Sequence, residues 1–91
     1  MDEYTNFPIL YSTDKKLIDT FMTDISAYCR TFSYITVKDY IELYRKLKPG
    51  VEIKNGSIDW CIEYEDLRGN MRVKKEKTKG WYLEIPAAYM F

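Results

Sequence analysis

Histidine is absent from the chain. Its absence removes the commonest general base, every Ser-His or Cys-His nucleophile arrangement, and the imidazole ligands usual in zinc and iron sites. Cysteine is scarce: Cys29 and Cys61 are too few for a disulfide framework and form no C-x-x-C pair, so they read as small buried or half-buried thiols. The four glycines, Gly50, Gly56, Gly69 and Gly80, each fall in an expected turn, and none belongs to a glycine-rich phosphate loop. No apolar run approaches the roughly 18 residues of a membrane span. The first eleven residues carry Asp2 and Glu3 and lack both a basic n-region and an apolar h-region, so no signal peptide is expected and the cytoplasm is the expected compartment. Net charge is missing too: 14 basic residues balance 14 acidic ones, which argues against wholesale binding to nucleic acid or an anionic membrane.

Carboxylates are then the remaining candidates for acid/base or metal chemistry. Asp59, Glu63 and Glu65 alternate along one expected strand, where charges opposite Arg72 and Lys74 are what a solvated antiparallel sheet needs. No catalytic, metal-binding or cofactor-binding residue is therefore assigned, and a non-enzymatic protein is expected.

Aromatic residues are abundant, with 9 Tyr, 4 Phe and 2 Trp among 91 residues. They supply the apolar area that one small domain needs, and a second core would require roughly 50 residues of its own. Ser12 or Thr13 can cap a first helix over about residues 14–32. Its stripe comprises Leu17, Ile18, Phe21, Met22, Ile25, Tyr28, Cys29 and Phe32. Thr36 with Asp39 reads as a capping box for a second helix, with Ile35 and Tyr40 as its staple and Pro49-Gly50 as its end, so that residues 14–48 form a helical hairpin.

After Gly50 the period changes from 3.6 to 2. Asn55-Gly56 introduces a strand in which Ile58, Trp60, Ile62 and Tyr64 face the core while Asp59, Cys61, Glu63 and Glu65 face water. A tight turn at Gly69-Asn70 would set Glu65 opposite Lys74, and Thr78-Lys79-Gly80 would turn the chain into Trp81 to Ile85 before Pro86. The expected fold is α+β: two helices on a three-stranded antiparallel meander over residues 57–86. Residues 1–11 are read as an extended arm or edge strand. Residues 87–91 form an apolar tail, either packed in the core or used in a dimer or partner contact.

The segment Arg68 to Lys79 holds six cations against Glu76, whereas Glu52 to Asp66 is predominantly acidic. A basic hairpin of this kind can meet an acidic protein surface or a nucleic-acid backbone, with Trp81 and Tyr82 near enough to stack on bases. Ile35 to Tyr40 also looks like the entry to a helix-turn-helix. Strands follow Pro49-Gly50, however, and leave no third, recognition helix.

Three stretches carry a resemblance: Tyr34-Ile35-Thr36-Val37-Lys38-Asp39-Tyr40 through Leu43, then Asp59-Trp60, then Gly80-Trp81-Tyr82-Leu83-Glu84-Ile85-Pro86. Their order resembles small proteins carried by phages and mobile elements of low-GC Gram-positive bacteria. Some small phage proteins of this size inhibit host defence, anti-CRISPR proteins among them, and the resemblance implies that class of activity. Strong acidity, common among nucleic-acid mimics, is missing here.

Two functions are expected from these features. The first is a protein-binding module that occupies a larger partner through Arg72, Lys74, Lys75, Lys77, Tyr82, Tyr89 and Phe91, with a homodimer as a further use of the apolar tail. The second is nucleic-acid binding along the basic hairpin, residues 68–79.

Overall fold

Two side chains set the starts of the long helices. Asp14 is extended at φ −97° and its carboxylate accepts the Lys16 backbone N–H at 3.0 Å, opening α1 over Lys15–Phe32. Thr36 is engaged from both sides. Its Oγ1 accepts the Asp39 N–H at 3.1 Å while the Asp39 carboxylate accepts the Thr36 N–H at 3.3 Å, and α2 follows over Val37–Leu47. This is the capping box expected from the sequence. The computed structural model describes residues 4–53, 56 and 58–90. Asn55, Ser57 and Phe91, assigned above to a turn, the strand start and the tail, lie outside the described residues.

Among the described residues, the remainder forms six short strands and one helical turn: β1 (Tyr4–Thr5), β2 (Tyr34–Thr36), β3 (Trp60–Glu63), α3 (Tyr64–Leu67), β4 (Arg72–Glu76), β5 (Gly80–Glu84) and β6 (Ala88–Met90). The α+β class with antiparallel sheets is as expected, but the strands divide differently from a single meander. One sheet has the order β1-β6-β3-β2, and β4-β5 stands as a separate two-stranded ribbon.

Residues 64–67 explain the division. Leu67 is wholly buried, and to reach the core the chain coils into α3 where the sequence periodicity continues a strand. The Tyr64 N–H donates to the Ser33 carbonyl at 2.9 Å, which ends the β2–β3 ladder. Gly69 then turns at φ 76°, and the Asn70 side chain donates back to the Asp66 carbonyl at 2.9 Å. Consequently Lys74 does not face Glu65. It lies opposite Tyr82 in the ribbon and pairs with the Glu84 carboxylate at 2.9 Å.

The C-terminal tail is structural over its residues 88–90. Residues 88–90 insert between β1 and β3, and Ala88 is fully buried. Residues 7–11 form no strand. They run as an extended arm whose Phe7 and Leu10 enter the core. Two buried tyrosines of α2 hold this arm, as Tyr40 and Tyr44 donate their hydroxyls to the Pro8 and Tyr11 carbonyls, each at 2.8 Å. Around them Ile18, Phe21, Ile25, Cys29, Ile35, Ile41, Ile62 and Leu67 make one continuous core.

Burial shifts several acids of this interior in one direction. The Cys29 thiol rises from 9.0 to about 11, and Tyr40, Tyr44 and Cys61 also rise. At high pH the unfolded chain therefore releases protons that the folded chain keeps, which favours unfolding. Stability from these groups is intact below the ordinary thiol value of 9.0 and declines as the pH climbs toward about 11. Urea midpoints measured in half-unit steps should fall across that interval; a midpoint constant to pH 11 contradicts it.

Candidate functional site

Two surfaces compete for a functional role. The first is the β4–β5 ribbon, whose register sorts its side chains into two faces. Arg72, Lys74 and Tyr82 share one face with Glu84, whereas Lys75 shares the other with Val73, Trp81 and the buried Leu83. Lys77 sits in the exposed turn between the strands. The structure thus brings together Arg72, Lys74 and Tyr82 but sets Lys75 behind them. Tyr89 lies on a different sheet.

Much of the ribbon's charge is already engaged within the molecule. Lys74 is paired with Glu84, and Arg68 stands 3.9 Å from Glu65. Lys15 and Lys75 sit 5.6 and 5.4 Å from the centre of the Trp81 ring, and Lys79 lies 5.2 Å from that of Tyr11. The Tyr82 ring meets Tyr11 edge-on at 5.4 Å. Glu76, the one acid of the segment, accepts the Thr78 and Lys79 backbone N–H groups at 2.9 and 2.7 Å, which lowers its pKa and fixes the turn.

The second surface is the outward face of the four-stranded sheet. Register places Ile35, Ile62 and Ala88 on the core side and Tyr4, Tyr89, Cys61, Glu63, Tyr34 and Thr36 on the other. Tyr4 and Tyr34, on the two edge strands, are 64% and 39% exposed, while Met90 alternates to the side of Ala88. Cys61 does not face water as the strand periodicity implies. It is 2% exposed, because its neighbours across the ladder, Thr36 and Tyr89, flank it on both sides.

A cavity of about 540 Å³ opens on this face. Tyr34, Tyr64 and Tyr89 line it together with Glu63, Glu65 and Arg30. Ser33 explains how these side chains meet: it ends α1 in the left-handed conformation at φ 73°, reverses the chain into Tyr34, and its carbonyl receives the Tyr64 N–H. Burial, and then the adjacent Glu63 carboxylate, pushes the Tyr89 hydroxyl up to about 12. Glu63 also contributes to the raised Cys61 thiol. The local field is thus that of a carboxylate among phenols. On the far side of Tyr34 a second depression is walled by Tyr28 and Ile58, and Ile58 is 65% exposed. The tilted Tyr28–Phe32 pair, 4.6 Å between ring centres, extends the aromatic surface along α1.

Sequence reasoning found Tyr89 as a contact residue and weighed Glu63 and Glu65 only as carboxylates for acid/base or metal chemistry, without grouping them with it. Tyr34, Glu63, Tyr64 and Arg30 come from four elements, and nothing in their spacing signals that they converge. Among the described residues no group of three or more His, Cys, Asp or Glu is placed to hold a metal ion. No described helix is long and apolar enough to cross a membrane. Comparison with protein-family models, curated proteins and solved structures returns no match to the chain.

Proposed function

We propose that this protein is a non-enzymatic binding module that acts by occupying a surface of a larger protein through the outward face of its four-stranded sheet. One observation carries the proposal: Tyr4 and Tyr34 stand exposed on a face that already contains a shaped cavity. Tyrosine suits such a contact because a large rigid ring buries apolar area at small entropic cost while its hydroxyl satisfies polar neighbours. Arg30 and Glu63 supply a polar margin of the kind that surrounds a desolvated interface centre. The resemblance to small phage proteins narrows this to an inhibitor of a host defence protein, such as a CRISPR effector.

Affinity capture from a lysate of a low-GC Gram-positive bacterium, with the folded domain as bait, tests the module. A protein recovered in stoichiometric amount is expected, and recovery of none contradicts the proposal.

A second function has an observation of its own. Lys15, Lys75 and Lys79 gather about the Trp81 and Tyr11 rings, a combination of cations and π-faces that suits single-stranded nucleic acid. On that basis oligonucleotide affinity falls steeply with salt, and replacing Lys75 and Lys79 lowers the logarithmic slope by about one unit per lost phosphate contact. Absent or salt-independent binding rejects it.

A further inference from the structure

The cavity on the sheet face has a composition that selects among possible guests. Its three tyrosines, Tyr34, Tyr64 and Tyr89, present rings on separate elements, and two carboxylates, Glu63 and Glu65, stand among them. Within the lining Arg30 opposes these two carboxylates, Arg68 stands 3.9 Å from Glu65 from outside it, and Asp66 adds to the negative field at Tyr89. Glu63 is thus the carboxylate with no cation paired to it among the lining residues. An anionic guest is therefore repelled. An apolar guest is disfavoured for a different reason, since it would strip water from the exposed Glu63 carboxylate and leave it the Tyr89 hydroxyl alone as a donor within the lining.

A guanidinium fits both features. It is planar, stacks on aromatic faces, keeps its charge at any ordinary pH and presents N–H groups in a fork that matches a carboxylate. At about 540 Å³ the cavity is large enough to admit the whole side chain rather than its tip alone. We infer that this cavity receives an arginine side chain from a basic segment of the bound protein, which stacks among Tyr34, Tyr64 and Tyr89 while Glu63 and Glu65 accept its N–H groups. The inference rests on the protein-binding function proposed above and adds the chemistry of the partner: a basic, arginine-bearing surface.

Arg30 gives the inference a distinctive signature. As the like charge in the lining, it weakens the binding of a cation, so its removal strengthens it. A purely hydrophobic cavity has no such response.

The probe is N-acetyl-arginine amide, titrated into the intact protein and followed by the NMR signals of the tyrosine rings, with the neutral isostere N-acetyl-citrulline amide as comparison. Expected are shifts centred on Tyr34, Tyr64 and Tyr89, with citrulline about ten-fold weaker. The Glu63→Gln/Glu65→Gln double variant should also weaken arginine binding about ten-fold, because two charge-assisted acceptors are lost. Arg30→Gln should tighten it about three-fold. Citrulline binding as well as arginine, or arginine binding unchanged in the double variant, overturns the inference; the citrulline comparison uses the native protein and does not depend on any variant folding. Lysate capture separates this inference from the function beneath it. A stoichiometric partner retained undiminished by the double variant removes the arginine pocket and leaves the module, whereas no partner for either protein removes both.

Discussion

Gly80→Ala is expected to lower stability by about 2–4 kcal/mol, a large share of what a domain of this size possesses. Gly80 has a φ of 100°, in the left-handed range that side-chain-bearing residues rarely adopt. A Cβ there would stand 2.6 Å from the Ser12 carbonyl oxygen and 3.0 Å from its carbon, and backbone cannot swing aside as a flexible side chain can. That same oxygen accepts the Trp81 N–H at 2.7 Å, while the Ser12 N–H donates to the Trp81 carbonyl at 2.9 Å. The substitution therefore strains the turn and pushes apart the Ser12–Trp81 bridge that ties the ribbon to the chain just ahead of α1. Equilibrium urea unfolding measures the effect, and a loss below about 1 kcal/mol would mean that the arm and ribbon are not held in this way.

Phe21→Ala is expected to cost about 3–5 kcal/mol. Its side chain is wholly buried, and its ring lies 5.0 Å from that of Tyr40 and 5.1 Å from that of Tyr44. Removing it opens a cavity beside the two tyrosines whose hydroxyls hold Pro8 and Tyr11. The N-terminal arm should loosen together with the core, so amide exchange at residues 7–11 should accelerate in the variant. Phe32 provides the control on the same helix. It is 56% exposed and contacts Tyr28, so Phe32→Ala should cost under about 1 kcal/mol. Equal losses at the two positions would contradict the assignment of α1's buried face.

The contrast between Phe21 and Phe32 also marks how far the sequence can be read. The 3.6-residue spacing puts both on one stripe, and the start of α2 at Thr36 is legible because its capping box lies within three residues, whereas α1 is capped by Asp14 and not by the expected Ser12 or Thr13. What escapes local reading is set by contacts between distant residues. Nothing near residues 64–67 announces a helical turn, since the decisive fact is that Leu67 must reach a core built by α1 and β2. Likewise Ala88–Met90 becomes an interior strand by pairing with Tyr4–Thr5 and Trp60–Cys61, partners that lie at the opposite end and in the middle of the chain. Strands of two to five residues carry too little alternation to fix a sheet order.

The candidate site follows the same rule. Arg72, Lys74 and Tyr82 could be grouped from sequence because they lie in one hairpin, and the structure keeps them on one face. Tyr34, Tyr64 and Tyr89 could not, for they meet only after β2, β3 and β6 have paired. Attention accordingly moves from the charged ribbon, where Lys74, Lys75 and Lys79 already have partners within the molecule, to the sheet face and its cavity.

Comparing lysate capture by two double variants tests that shift most directly. Tyr4→Ala/Tyr34→Ala alters the sheet face, and Arg72→Ala/Lys77→Ala alters the ribbon, each at exposed positions. The account predicts that the sheet-face variant loses the captured protein while the ribbon variant keeps it. Capture abolished by the ribbon variant and unaffected by the sheet-face variant would contradict it.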